Sequence, residues 1–182
     1  MNKLILTIII VTMFFFKNSS AKNYEKLFFD FKIDSITGEV IEFKDYKGKV
    51  ILLVNTASYC GFTNQYNDLQ KLWDNYKQKG LIVLAIPSNS FNQEKKGDDE
   101  VKKFCEINFK INFPISKITE VKGDNAHEIF KWANKNYGKS AIPKWNFHKI
   151  LINKNGKVED TFAPFTNPRS KKIISKIEKL LY

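Results

Sequence analysis

Val50-Ile51-Leu52-Leu53-Val54-Asn55-Thr56-Ala57-Ser58-Tyr59-Cys60-Gly61-Phe62-Thr63-Asn64-Gln65 is the stretch that decides the fold. Its first five residues are a continuous apolar run rich in β-branched side chains, the pattern of a strand buried on both faces. Beyond it, Tyr66, Leu69, Leu72, Trp73 and Tyr76 recur at helical spacing. Thr63 or Asn64 is placed to cap that helix. Cys60 therefore falls where a buried strand gives way to a helix. A thiol there feels the positive end of the helix dipole and its unpaired N–H groups. Both favour the thiolate, which is the nucleophilic form.

Working outward, Lys79-Gly80 stops the helix. Leu81 to Ile86 reads as a second buried strand, ended by Pro87. Strand, helix and strand with this crossover predict a parallel pair. Upstream, Phe29 to Ile33 and Val40 to Phe43 flank a turn at Ser35-Ile36-Thr37-Gly38 and predict a hairpin. Downstream, a polar loop runs from Ser88 to Gly97. Asp98 or Asp99 then caps a helix with Val101, Phe104, Cys105 and Asn108 along one side. Asp124 is placed to cap the next helix, whose apolar side is Ala126, Ile129, Phe130, Ala133 and Tyr137, with Gly138 closing it. Trp132 reads as packing. Asn153-Lys154-Asn155-Gly156 is a hairpin turn, and Val158 to Phe162 the return strand. The last helix is expected to begin at Asn167-Pro168, with Ile173, Ile174, Ile177, Leu180 and Leu181 as its core face. The order is that of a thioredoxin-like α/β fold: a central mixed β-sheet flanked by helices, with an added N-terminal β-hairpin.

The 182 residues suffice for one domain with a real core, and 43% hydrophobic with 27% charged residues is a globular composition. The formal charge is +11, but the lysines are scattered. That argues against a nucleic-acid face, which needs clustered charge, and leaves non-specific attraction to an anionic membrane surface. Lys3, the apolar run Leu4 to Phe16, and Ser19-Ser20-Ala21 read as an export signal over 1–21, cleaved after Ala21. An uncleaved anchor is the alternative. Residues 22–182 then form the single mature domain, in an exported, and if bacterial periplasmic, location. Cys60 and Cys105 are the two cysteines; there is no C-x-x-C pair and no zinc-like spacing with His127 and His148. A stabilising disulfide and a working redox pair both remain open on composition alone.

The motifs resemble a known family. Asn55 to Thr63 with Gln65-Tyr66 is similar to the active-site signature of glutathione peroxidases. Pro87-Ser88-Asn89-Ser90-Phe91 with Gln93-Glu94 resembles the family's second motif, and Lys144-Trp145-Asn146-Phe147 its third. The match covers most of 24–182 in the family's order. The resemblance implies a thiol-dependent peroxidase acting on hydrogen peroxide or organic and lipid hydroperoxides. Cys60 would be the peroxidatic residue, in place of the selenocysteine of some members. Gln93, Trp145 and Asn146 would complete the catalytic tetrad. Their N–H groups suit the task of stabilising a thiolate and a leaving oxygen. No metal or cofactor is implied. Cys105, in Phe104-Cys105-Glu106-Ile107-Asn108-Phe109, resembles the resolving cysteine of the thioredoxin-using branch. It would condense with a Cys60 sulfenic acid, and a thioredoxin-like protein or glutathione would reduce the product.

Two departures stand out. Phe91-Asn92-Gln93-Glu94 is one residue shorter than the family's usual spacing, and Lys95-Lys96 replaces its proline region. Asn92 or Asn89 therefore competes with Gln93 for its role. The short segment from Tyr137 to Trp145 lacks the insertion that resembles an oligomer contact, so a monomer is expected. A packed, unreactive thiol is the alternative for Cys105. His148 alternates outward from its strand and reads as a solvated residue. The rival functions are a general thiol–disulfide oxidoreductase, which the missing C-x-x-C disfavours, and a redox relay or sensor.

Overall fold

The computed structural model describes residues 24–182; the expected export signal lies outside them. Strand β3 (Val50–Thr56) is the centre of the molecule, and all seven of its residues are buried. It pairs in parallel with β4 (Leu81–Pro87) on one side and antiparallel with β5 (Lys149–Ile152) on the other. The return strand β6 (Val158–Phe162) completes a four-stranded mixed sheet in the order β4-β3-β5-β6. The expected hairpin is present as a separate two-stranded sheet of β1 (Lys32–Asp34) and β2 (Val40–Glu42).

The alternation of β3 explains why it reads as uniformly apolar. Val50, Leu52 and Val54 join one core with Tyr66, Leu69 and Leu72 of α1 (Gln65–Tyr76) and Ile173 and Ile177 of α4 (Lys171–Leu181). The same core takes Val101 and Cys105 of α2 (Asp98–Phe109). Ile51 and Leu53 face the opposite core, with Ile129, Phe130 and Ala133 of α3 (Glu128–Tyr137) and the N-terminal aromatics. Phe28 stacks on Phe43 there at 4.4 Å, and Trp132 is buried with its indole N–H donating to the Lys26 carbonyl at 2.7 Å. Both sheet faces are thus covered, as a parallel pair at the centre requires.

Helix ends depart from the expected positions. Gly97, not Asp98, is the N-cap of α2; the Asp98 carboxylate instead accepts the Ile118 N–H at 2.8 Å. The N-cap of α3 is His127, whose Nδ1 accepts the Ile129 N–H. Asn64 occupies the cap position of α1 without a side-chain cap bond. Helix α4 starts at Lys171 because Asn167-Pro168 forms a preceding turn, closed by the Ser170 N–H on the Asn167 carbonyl. Gly80 ends the first helical segment at φ +102°, where a side chain would be strained. Among the described residues no helix is long and apolar enough to cross a membrane.

Candidate active site

Parallel β3 and β4 end at the same edge of the sheet, and antiparallel β5 starts there. Three chain segments are delivered to that edge: the turn carrying Cys60, the loop carrying Gln93, and the approach to β5 carrying Trp145 and Asn146. Crevices outside strand ends are where α/β sheets place ligands.

Cys60 sits in a tight turn between β3 and α1. The Thr63 hydroxyl oxygen accepts the Cys60 N–H at 3.1 Å and lies 2.7 Å from the Cys60 carbonyl and 2.9 Å from that of Ala57, either of which can take its one proton. The sulfur is nearly buried, and the Phe62 N–H donates to it at 3.5 Å. The N–H group facing the sulfur thus belongs to the turn, not to the first turn of α1.

The other segments are tied to this turn by hydrogen bonds. The Tyr59 N–H donates to the Gln93 carbonyl at 2.9 Å. The Ser58 N–H donates to the Glu94 carboxylate at 3.0 Å, and the Lys95 N–H to the same oxygen at 2.9 Å. Burial holds the Glu94 carboxyl above its ordinary pKa, while these N–H groups pull the other way. Asn146, fully buried, donates through Nδ2 to Gln93 Oε1 at 2.9 Å. The side chain that meets Asn146 is therefore that of Gln93. Asn92 adopts φ +57° and is exposed, and Asn89 spends its Oδ1 on the Glu94 N–H.

Asn55 anchors the Trp145-Asn146 segment. Its Nδ2 donates to the Trp145 carbonyl at 3.2 Å and its Oδ1 accepts the His148 N–H at 3.1 Å. Phe147 is held at φ +64°, an uncommon conformation for an aromatic residue. The Trp145 ring is 42% exposed and lies 5.4 Å from that of Phe91. The sequence reading did not single out Asn55 as a positioning group, although a polar residue ending a buried apolar run was the visible signal.

Cys105 lies on α2 rather than on these loops, and it shares one core with Cys60. It has no exposure beside the Tyr66 hydroxyl, and burial pushes its thiol up to about 11. Both cysteines are free. His148 is a correction to the sequence reading. It is buried, because the second core covers that face of β5, and burial with Lys149 and Lys144 nearby lowers its pKa to about 4. Lys149 was also missed. Its fully buried ammonium donates to Gln65 Oε1 and to the carbonyls of Pro164 and Thr166, fastening the start of α1 to the loop after β6. Among the described residues no three His, Cys, Asp or Glu side chains are grouped to hold a metal ion.

The chain is similar to known proteins over most of its length. The sequence profile described as glutathione peroxidase matches residues 28–134. A Lactococcus lactis protein named glutathione peroxidase is 40% identical over 158 residues, covering 85% of this chain and 99% of its own length. The Synechocystis protein named hydroperoxy fatty acid reductase gpx1 is 39% identical over 162 residues, covering 84% of this chain and 95% of its own. The crystal structure of Trgpx in apo form superposes with a TM-score of 0.69 at 36% identity, covering 86% of this chain and 96% of that one. With its fold matched and about 40% identity held over most of its length, this chain belongs to the glutathione peroxidase family, whose members are thiol-dependent peroxidases.

Proposed function

We propose that peroxide reduction in this chain runs through a two-cysteine cycle. The Cys60 thiolate attacks one oxygen of a hydroperoxide, the O–O bond breaks, and the departing oxygen takes up the proton that the thiol released on ionising and leaves as water or an alcohol. Cys60 becomes a sulfenic acid. Gln93, Asn146 and Trp145 supply N–H groups for the charge that develops on the departing oxygen. The observation that carries this reading is the Asn146–Gln93 hydrogen bond, which holds two segments together at the edge where Cys60 sits.

Cys105 then condenses with the sulfenic acid. Its thiol is fully buried on α2, and in this reading α2 loosens locally to let the two sulfurs meet. A thioredoxin-like dithiol protein reduces the resulting disulfide by exchange, with glutathione as the alternative reductant. Beside the site, Phe91 and Trp145 form an aromatic lip, and Lys122 Nζ lies 4.3 Å from the Phe91 ring centroid. That lip favours organic and lipid hydroperoxides alongside hydrogen peroxide, in keeping with the name of the Synechocystis relative. The protein acts as an exported monomer in this reading.

The test is peroxide consumption by wild type, Cys60→Ser and Cys105→Ser, each with a thioredoxin system and with glutathione. Loss of thioredoxin-supported turnover in both variants supports the cycle. Full turnover by Cys105→Ser would leave Cys60 as the only working cysteine.

A further inference from the structure

Lys95 stands where the family resemblance places a proline region, and it makes contacts that no proline could make. Its Nζ donates to the Tyr59 hydroxyl at 2.9 Å. The same ammonium lies 5.2 Å from the ring centroid of Phe104, within cation–π range. Tyr59 is the residue immediately before Cys60, and Phe104 is the residue immediately before Cys105. One side chain thus bridges the neighbours of both cysteines.

The base of this bridge is firm. Ser58 and Lys95 both donate their backbone N–H to one oxygen of the buried Glu94 carboxylate, and Tyr59 donates its own to the Gln93 carbonyl. The run 93–95 is therefore fixed to the Cys60 turn by its backbone, while the Lys95 side chain reaches across to α2. On α2 the Phe104 ring packs at 5.5 Å against Phe109, which packs at 5.2 Å against Tyr66 of α1. Lys95 adds its contact at the Phe104 end of this aromatic row, between α2 and the Cys60 turn.

We propose that Lys95 is a positioning residue that staples α2 to the Cys60 turn in the reduced protein and thereby sets the rate at which Cys105 reaches oxidised Cys60. The proposal rests on the reading that Cys105 resolves. In that step the Cys105 sulfur attacks the Cys60 sulfur, an S–S bond forms, and the S–O bond of the sulfenic acid breaks. The hydroxyl leaves with the Cys105 proton as water. Cys105 is oxidised and Cys60 reduced, the hydroperoxide having supplied the oxidising equivalents. Opening α2 breaks the Lys95 contact with Phe104, while Lys95 and Tyr59 stay together on the Cys60 turn, so it is the Phe104 contact that slows this step. It leaves the preceding attack on peroxide untouched.

The experiment mixes the reduced full chain rapidly with one equivalent of hydrogen peroxide. Sulfenic acid and disulfide formation are followed separately by quenching and thiol alkylation, for wild type, Lys95→Ala and Lys95→Arg. Lys95→Ala is expected to form the disulfide about four-fold faster, an effect of the size of one exposed cation–π contact, and to form the sulfenic acid at the wild-type rate. Lys95→Arg keeps a cation that reaches the Phe104 ring and is expected to stay within about two-fold of wild type. Amide exchange in residues 98–109 of the reduced Lys95→Ala protein is expected to accelerate by a similar factor. An unchanged disulfide rate, or an equal change in both steps, would overturn the role of Lys95. A wild type that forms no disulfide at all would instead overturn the resolving role of Cys105, and the rate claim with it.

Discussion

Asn146 Nδ2 donates to Gln93 Oε1 at 2.9 Å, joining residues 53 positions apart in the chain. One lies in the loop after β4 and the other ahead of β5, and both segments are also fastened to the Cys60 strand and turn, Gln93 through Tyr59 and Trp145-Asn146 through Asn55. The hydrogen bond therefore fixes the orientation of two amide groups that act as one unit. Gln93→Ala and Asn146→Ala should each slow oxidation of Cys60 by about 100-fold, the scale of losing one preorganised donor. The double variant should lose much less than the product of the two, because groups in one network are not additive. Stopped-flow oxidation of the reduced protein with varied peroxide measures all three rates.

His148 makes the fold sensitive to acid. Its pKa is lowered to about 4 by burial and by Lys149 and Lys144, whereas an unfolded histidine titrates near 6.5. Between these values the unfolded chain binds the proton and the folded chain does not. Stability therefore rises with pH across this window and falls as pH drops from about 6.5 towards 4, by about 3 kcal/mol in all. Urea unfolding of wild type at pH 7 and pH 5 should show the loss, and His148→Gln should show a much smaller pH dependence over the same interval.

Gly156 is a position where backbone and space both demand glycine. Its φ is +72°, and a Cβ there would meet the Phe29 ring at 2.9 Å. Its carbonyl accepts the Phe28 N–H at 2.9 Å, so the hairpin turn seats the N-terminal aromatics on the second core. Gly156→Ala should destabilise the protein by about 2 kcal/mol, through left-handed strain and the displaced ring. Denaturant melts give the value, and Cys60 oxidation at a temperature where the variant is folded should be unchanged.

The sheet was legible because its signal is local. Val50–Val54 and Leu81–Ile86 are apolar enough to be read as strands, and the helix between them makes the pair parallel. The helix starts were less legible, since several residues in each loop have capping side chains and tertiary contacts choose among them. Asp98 caps nothing because Ile118 claims its carboxylate. His148 misled for a different reason. Period-two alternation says which face a residue takes, not whether that face is covered, and here both faces are. In the site, Cys60 could be argued from its strand-to-helix position alone. Gln93, Trp145 and Asn146 could not, because no periodicity connects residues so far apart; the family motifs supplied them. Asn55 carried a signal, a polar residue ending a buried apolar run, whereas the bridging contacts of Lys95 became visible only once its partners were in place.

Resolution of oxidised Cys60 by Cys105 is read by counting thiols after a single turnover. The reduced protein is treated with one equivalent of hydrogen peroxide and analysed by intact mass and alkylation. A two-cysteine cycle predicts loss of both thiols, no added oxygen, and a peptide pair linked through Cys60 and Cys105. A stable product with one added oxygen on Cys60 and a free Cys105 thiol would contradict it.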